Sequence, residues 1–208
     1  GINNCAAPGP SGLRREHLDV AARVPSARIP QRLAEVVDTI CAGLVPANDR
    51  YVTSCSLSPV PKVKPGDYRP IGVGEIIRRV AARIGVRALC RLVEPDLHMK
   101  RQHGVSRDGG HHVYHSTRLC AAEGQHVIEF DIENAFGEVD RERILHVVSD
   151  IDDVRPLVGA LYGNDCLMTL RGSTTTLICD RGVVQGCPLA SVLFALALQS
   201  AIDEAREK

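Results

Sequence analysis

One acidic side chain lies where the sequence pattern predicts chemistry rather than packing. Residues 126–132 read H-V-I-E-F-D-I, which predicts a strand with Val127, Ile128 and Phe130 in the core. Asp131 lies at the carboxyl end of that strand, just before residues 133–137, where the strand is expected to have ended. A buried carboxylate is costly unless it is paired or binds a metal ion. The position therefore makes Asp131 a candidate ligand of a divalent cation.

Positive charge is concentrated in the middle of the chain, and negative charge follows it. Residues 59–120 contain twelve Lys or Arg and five acids, residues 121–208 contain seven Lys or Arg and fifteen acids, and the overall net charge is zero. A basic stretch followed by an acidic one suits a protein that binds a polyanion and divalent cations. Two solvated surfaces of opposite charge explain the same composition.

Four arginines in the basic stretch recur every four residues along one face of a predicted long helix: Arg79, Arg83, Arg87 and Arg91. This arginine ladder either follows a phosphate backbone or faces water, as arginines on exposed helix faces commonly do.

Neither the cysteines nor the histidines predict a metal centre. The eight cysteines are scattered and none forms a C-x-x-C pair, so we expect reduced thiols, an intracellular protein and no zinc site. His111 and His115 have metal-ligand spacing, but a polar helix face explains them better.

Length and composition favour a folded domain. The 208 residues are 44% hydrophobic and 24% charged, which argues against wholesale disorder. The longest apolar run, residues 188–201, is shorter than the roughly 18–20 residues of a membrane span, so no membrane partner is expected. Because residue 1 is Gly and both ends are abrupt, we expect the chain to be part of a longer protein.

Hydrophobic periodicity and turn signals predict the elements that position these residues. Ser11 is expected to cap a helix at residues 13–18, and strands at 51–60 and 68–71 to form a hairpin through a turn at 64–67. Later strands are predicted at 166–171 and 175–184. Helices are predicted at 110–122, at 141–146 with Asp140 as its cap, at 154–162, and from Pro188 onward. The long helix is predicted to bury a stripe of seven residues: Ile76, Ile77, Val80, Ala81, Ile84, Ala88 and Leu92.

Four sequence blocks, in a fixed order, carry a family likeness. They are A-P-G-P-S-G at 7–12, L-S-P-V-P-K at 57–62 with D-Y-R-P-I at 67–71, F-D-I-E-N-A-F at 130–136, and R-G-V-V-Q-G-C-P-L at 181–189. Together they resemble the reverse transcriptases of non-LTR retrotransposons and group II introns. The resemblance extends over nearly the whole chain, and four blocks in order make coincidence improbable.

The resemblance implies a right-hand polymerase fold and a set of site residues. The fold would be α+β, with helical, basic fingers at residues 1–120 and a partial palm with an antiparallel sheet at 121–208. Asp131 matches the first metal-binding carboxylate, with the carbonyl of Ile132 as a second ligand of Mg²⁺, and the intact enzyme would hold two such ions. Lys62 and Arg69 match residues that bind the nucleotide triphosphate. Phe136 matches the aromatic residue that packs under the sugar. Gln185 and Gly186 match a turn that lies under the nucleotide and template. Core packing explains Phe136 equally well.

The same resemblance implies an RNA template, a DNA primer and deoxynucleoside triphosphates as partners, and a nuclear location in a eukaryotic host. The family's aromatic-x-Asp-Asp hairpin is not found in the sequence, and Asp152 and Asp153 do not replace it. Two other interpretations therefore stay open: a catalytically dead remnant that still binds nucleic acid, and an inert fragment without a partner.

Overall fold

The computed structural model describes residues 7–46 and 49–208, so Cys5 lies outside the described residues. Within these ranges the chain forms nine α-helices, one short 3-10 helix and four strands. The N-terminal elements are α1 (Arg15–Ala21), the 3-10 helix (Pro25–Ala27), α2 (Ile29–Cys41), α3 (Arg50–Thr53), β1 (Cys55–Pro61), β2 (Tyr68–Gly74) and α4 (Ile76–Met99). The remaining elements are α5 (Gly109–Ala122), α6 (Ala135–Glu138), α7 (Arg141–Val147), α8 (Arg155–Tyr162), β3 (Cys166–Leu170), β4 (Thr176–Cys179) and α9 (Ala190–Glu207).

The four strands form one mixed sheet in the order β2-β1-β3-β4. The β1–β2 and β3–β4 pairs are antiparallel, whereas β1 and β3 are parallel. The predicted α+β class is confirmed. The two strands within residues 121–208, β3 and β4, are antiparallel, and the parallel contact of β3 with β1 was not predicted. Parallel neighbours need a long crossover connection, and the helices between β2 and β3 provide it. One sheet thus joins strands from both predicted domains, whose division into fingers and palm stays a prediction.

The core lies among α2, α4, α7, α8 and α9 and the inner strands. The long helix α4 is confirmed, but its buried face is rotated from the predicted stripe. Ala81, Gly85 and Leu89 are buried, whereas Ile84 and Leu92 are about half exposed. Small residues decide this orientation: a Cβ at Gly85 would come within 2.4 Å of the Leu157 side chain on α8. The close approach of α8 therefore needs the Ala81 and Gly85 face rather than the Ile84 face.

The predicted strand at residues 126–132 is not formed. Residues 125–132 belong to no helix or strand, and the side chains of Ile128 and Phe130 are 74% and 85% exposed. A strand needs a neighbour for its backbone hydrogen bonds, and none of the four described strands pairs with this segment.

The other local predictions have mixed outcomes. Asp140 caps α7 by accepting a hydrogen bond from the backbone N–H of Glu142 at 2.9 Å, as predicted. Ser11 does not cap a helix, because α1 begins only at Arg15. The Ser11 N–H and Oγ instead donate to the buried carboxylate of Glu75 at 2.6 and 2.7 Å, which docks the N-terminal segment onto the start of α4. Among the described helices, none is long and apolar enough to span a membrane.

Candidate nucleotide-binding site

A cleft of about 470 Å³ lies between the sheet and the short helix α6. Its lining includes Phe136 from α6, Gln185 from the segment before α9, and Leu57 and Pro70 from β1 and β2. Of the residues predicted to contact a nucleotide, the structure thus brings Phe136 and Gln185 to one cleft. We call this the site cleft.

Backbone hydrogen bonds fix the Phe136 side of the site cleft. The N–H of Val183 donates to the carbonyl of Phe136 at 2.7 Å, and the N–H of Gly182 donates to the carbonyl of Val139 at 2.9 Å. Gly182 has a φ of 70°, and a Cβ there would lie 2.4 Å from the Phe136 carbonyl oxygen. A glycine is therefore required for the two segments to meet.

The Gln185–Gly186 turn is held against β2. The Gly72 N–H donates to the Gln185 carbonyl at 2.7 Å, and Gly186, with a φ of 116°, passes so close that a Cβ would lie 2.7 Å from the Gly72 oxygen. The side-chain Oε1 of Gln185 is buried and has no hydrogen-bond partner among the described residues. A buried amide oxygen without a donor is costly, so this atom is suited to accept a hydrogen bond from a ligand in the cleft.

Phe136 lines the cleft and also packs against the core. It is half-buried, and its ring centroid lies 5.2 Å from that of Phe194 on α9, with the planes tilted by 51°. A ring held in this way has a fixed position, which steric selection of a ligand requires.

Asp131 and Ile132 are exposed and do not line the site cleft. In the described ranges no group of three or more His, Cys, Asp or Glu residues is arranged to hold a metal ion. Mg²⁺ commonly binds through one or two carboxylates, with waters and substrate phosphates as its other ligands. Asp131 fits one such carboxylate, but the described residues do not assemble the carboxylates that two ions need.

Lys62 and Arg69 are exposed at the outer end of the β1–β2 hairpin. Arg69 pairs with Val60 in the strand register, and the Lys62 N–H donates to the Asp67 carbonyl at 2.9 Å, which closes the predicted turn. Neither side chain lines the site cleft, although Pro70, next to Arg69, does. The hairpin thus carries the charges of Lys62 and Arg69 beyond the rim of the cleft.

The arginine ladder divides into two parts. Arg83, Arg87 and Arg91 are exposed on α4, whereas Arg79 is partly buried and donates to the Ala7 carbonyl at 3.1 Å. Burial, with the nearby positive charge of Arg83, lowers the pKa of Arg79. Arg79 therefore anchors the N-terminal segment, and the exposed arginines form the charged surface.

No sequence pattern indicates the role of Arg141, the first residue of α7. Arg141 is only 8% exposed, and its guanidinium donates to the carbonyls of Gly182, Asn164 and Cys179 at 3.0, 2.9 and 2.8 Å. Its acceptors come from segments distant in sequence, so spacing cannot reveal them. Arg141 fixes the turn that leads into the cleft segment at residues 182–185.

An ion pair lies at the rim of the site cleft. Arg181 contacts Glu138 at 3.3 Å, and Glu138 also accepts a hydrogen bond from the Asn134 side chain at 3.2 Å. Both charged side chains are more than half exposed, so the pair contributes little to stability.

Comparison with known proteins identifies the family. The family model described as reverse transcriptase (RNA-dependent DNA polymerase) matches residues 60–208. This range contains every residue predicted to bind nucleotide, metal or nucleic acid, from Lys62 to Gly186. A search of curated proteins finds no match to the chain.

Proposed function

Since the chain belongs to the reverse transcriptase (RNA-dependent DNA polymerase) family, which implies a polymerase fold, we propose that it is a nucleotide- and template-binding part of a retrotransposon-like enzyme. The proposed parent is of the non-LTR or group II intron type and copies an RNA template from a DNA primer with deoxynucleoside triphosphates. The observation that carries the proposal is the meeting of Phe136 and Gln185 in the site cleft. Because scattered, reduced cysteines are typical of intracellular proteins, the proposed location of the parent enzyme is intracellular, and nuclear in a eukaryotic host.

Each residue has a proposed task. Lys62 and Arg69 bind the triphosphate by charge, and the Arg69 guanidinium also provides a fork of donors for phosphate oxygens. Phe136 packs against the sugar, while Gln185 and Gly186 support the nucleotide and template. Asp131 and the Ile132 carbonyl would hold Mg²⁺, which as a Lewis acid lowers the barrier to phosphoryl transfer. Arg79, Arg83, Arg87 and Arg91 were predicted to follow the nucleic-acid backbone, and the exposure of the last three supports that role for them.

Nucleotide binding by the chain tests this proposal. A deoxynucleoside triphosphate should bind more tightly in Mg²⁺ than in a chelator, because Asp131 and the phosphates share the ion. In Asp131→Asn the shape of the side chain is kept and its charge is lost. We therefore expect the Mg²⁺-dependent gain in nucleotide affinity to fall by about tenfold, or ~1.4 kcal/mol. Titration of a fluorescent deoxynucleotide measures this gain.

Asp153→Asn is the matched control, since Asp153 is an exposed acid in the loop before α8. Its Mg²⁺ dependence should equal that of the unmodified chain. Equal Mg²⁺ dependence in Asp131→Asn would remove Asp131 from the metal site. RNA binding without nucleotide binding would favour the catalytically dead remnant, and binding of neither would favour the inert fragment.

The exposed arginines of α4 predict the salt dependence of nucleic-acid binding. Arg87→Gln with Arg91→Gln should weaken binding to an RNA–DNA duplex, and each lost phosphate contact should lower the slope of log K against log salt by up to about 0.9. Sequence preference should stay slight, because phosphate contacts do not read bases. Fluorescence anisotropy over a salt series measures both quantities.

Arg23→Gln with Arg206→Gln is the control, because these exposed arginines give the same change in charge away from the ladder. We expect a smaller change in slope in this pair. If both pairs change the slope equally, net charge rather than the ladder binds the duplex.

A further inference from the structure

Two buried thiols meet where the two hairpins of the sheet join. Cys55 on β1 and Cys166 on β3 are 0% and 1% exposed, and the Cys166 thiol donates a hydrogen bond to the Cys55 sulfur at 3.7 Å. We propose that this pair is a site of reversible oxidation, at which a peroxide converts the two thiols into a disulfide.

The strand register places both side chains on one face of the sheet. Cys55 is paired with Met168, and Cys166 lies two residues before Met168 on the same strand. Residues two apart on a strand point to the same face, so the two sulfurs approach without a bulge. A disulfide bond is about 2.05 Å long and its Cα atoms usually lie about 4.4–6.8 Å apart, whereas diagonal neighbours on adjacent strands lie about 7–8 Å apart. Closing the gap therefore needs a small shift of β1 against β3 as well as rotation of the two side chains.

Arg78 supplies positive charge beside the thiols. It is 2% exposed, its Nη1 donates to the Val52 carbonyl at 2.8 Å, and its Nη2 is buried without a hydrogen-bond partner among the described residues. Arg78 also forms no ion pair with a described carboxylate. An arginine in a protein does not lose its proton, so a negative charge nearby would stabilise the buried guanidinium.

Cys55 is the group that can carry this negative charge. The hydrogen bond from Cys166, together with the charge of Arg78, lowers the pKa of Cys55 against the opposing effects of burial and the charge of Glu75. The same hydrogen bond and burial raise the pKa of Cys166. Because the thiolate is the nucleophile, the two cysteines have different tasks: Cys55 attacks, and Cys166 resolves. Both thiols are buried, so peroxide reaches them when the sheet opens locally around the pair.

The reaction then balances with one peroxide. The Cys55 thiolate attacks one oxygen of hydrogen peroxide, the O–O bond breaks, and Cys55 becomes a sulfenic acid while the departing hydroxide takes up a proton to form water. The sulfur of Cys166 next attacks the Cys55 sulfur, loses its proton and displaces a second water. Two thiols are oxidised, one peroxide is reduced to two waters, and a thiol reductant reverses the change.

The bridge would join parts of the sheet that are far apart in sequence. Cys55 and Cys166 are separated by 111 residues. Their bond would tie the hairpin that carries Lys62 and Arg69 to the β3–β4 hairpin, which lines part of the site cleft. Closing a long loop restricts the unfolded chain and so stabilises the folded one.

The test is peptide mapping of the folded chain after treatment with hydrogen peroxide. We expect a mass loss of two hydrogens, a linked peptide pair containing Cys55 and Cys166, and reversal by dithiothreitol. The oxidised chain should unfold at a higher urea concentration than the reduced chain. In Cys166→Ser the linked pair should be absent, and dimedone should label Cys55.

Cys179→Ser is the matched control, since it removes a partly buried thiol of the neighbouring strand β4 and should leave the linked pair unchanged. Mapping of the unmodified chain needs no variant, so it decides the result even if a buried substitution prevents folding. Two thiols that stay reduced in the peroxide-treated folded chain, or a disulfide to another cysteine, would overturn the proposal.

Discussion

Arg141→Met is expected to lower the free energy of unfolding by about 3–5 kcal/mol, because each buried carbonyl that loses its donor costs about 1–3 kcal/mol. The substitution leaves the carbonyls of Gly182, Asn164 and Cys179 without this donor. Methionine fills part of the same volume but donates no hydrogen bond. Urea unfolding measures the change as a lower midpoint with an unchanged slope.

Arg143→Met provides a matched control two residues further along α7. Arg143 forms an exposed ion pair with Glu204 on α9, so its loss should change the midpoint by only a small fraction of the Arg141 effect. Arg141→Lys keeps the charge but loses the planar fork, and should lie between Arg141→Met and the unmodified chain. If Arg141→Met and Arg143→Met unfold at the same urea concentration, the carbonyl contacts of Arg141 do not stabilise the fold.

The regular elements were the part of the fold that local patterns predicted well. Helices α5, α7 and α8 and strand β3 follow from periodicity and capping, because the determining contacts lie within a few residues. The buried face of α4 does not follow from such local patterns, because the close approach of Leu157 to Gly85 depends on a helix more than seventy positions away in the sequence. The segment at 126–132 has strand-forming residues, but propensity does not supply a pairing partner.

The candidate site shows the same division. Gln185 and Phe136 were found through short blocks of sequence, and the structure places both in the site cleft. In the sequence, Arg78 and Arg141 contribute only to the count of positive charges, yet in the structure both are buried and hydrogen-bonded to carbonyls. Sequence patterns treat arginine as a surface residue, and only the packing of distant segments shows which arginines are exceptions.

Phe136→Ala is expected to reduce the preference for deoxynucleotides over ribonucleotides by about tenfold, a size typical of discrimination by one small group. A deoxyribose fits against the flat ring, whereas a 2′-hydroxyl collides with it. Removing the ring should therefore improve ribonucleotide binding relative to deoxynucleotide binding. Competition of the two nucleotides against a fluorescent probe gives the ratio of their dissociation constants.

The packing of Phe136 against Phe194 allows the two proposed roles of this ring to be separated. Loss of a core aromatic reduces the amount of folded protein, by up to about 3–5 kcal/mol where the ring is fully buried, but this reduction applies to both nucleotides and cancels in their ratio. Phe194→Ala removes the other ring of the same contact, and Phe194 does not line the site cleft. Phe194→Ala should thus lower stability and leave the ratio of the two dissociation constants unchanged. Phe136→Ala should lower stability and also change that ratio. If neither substitution changes the ratio, Phe136 is a packing residue, because a ring that selected the sugar could not be removed without admitting the hydroxyl.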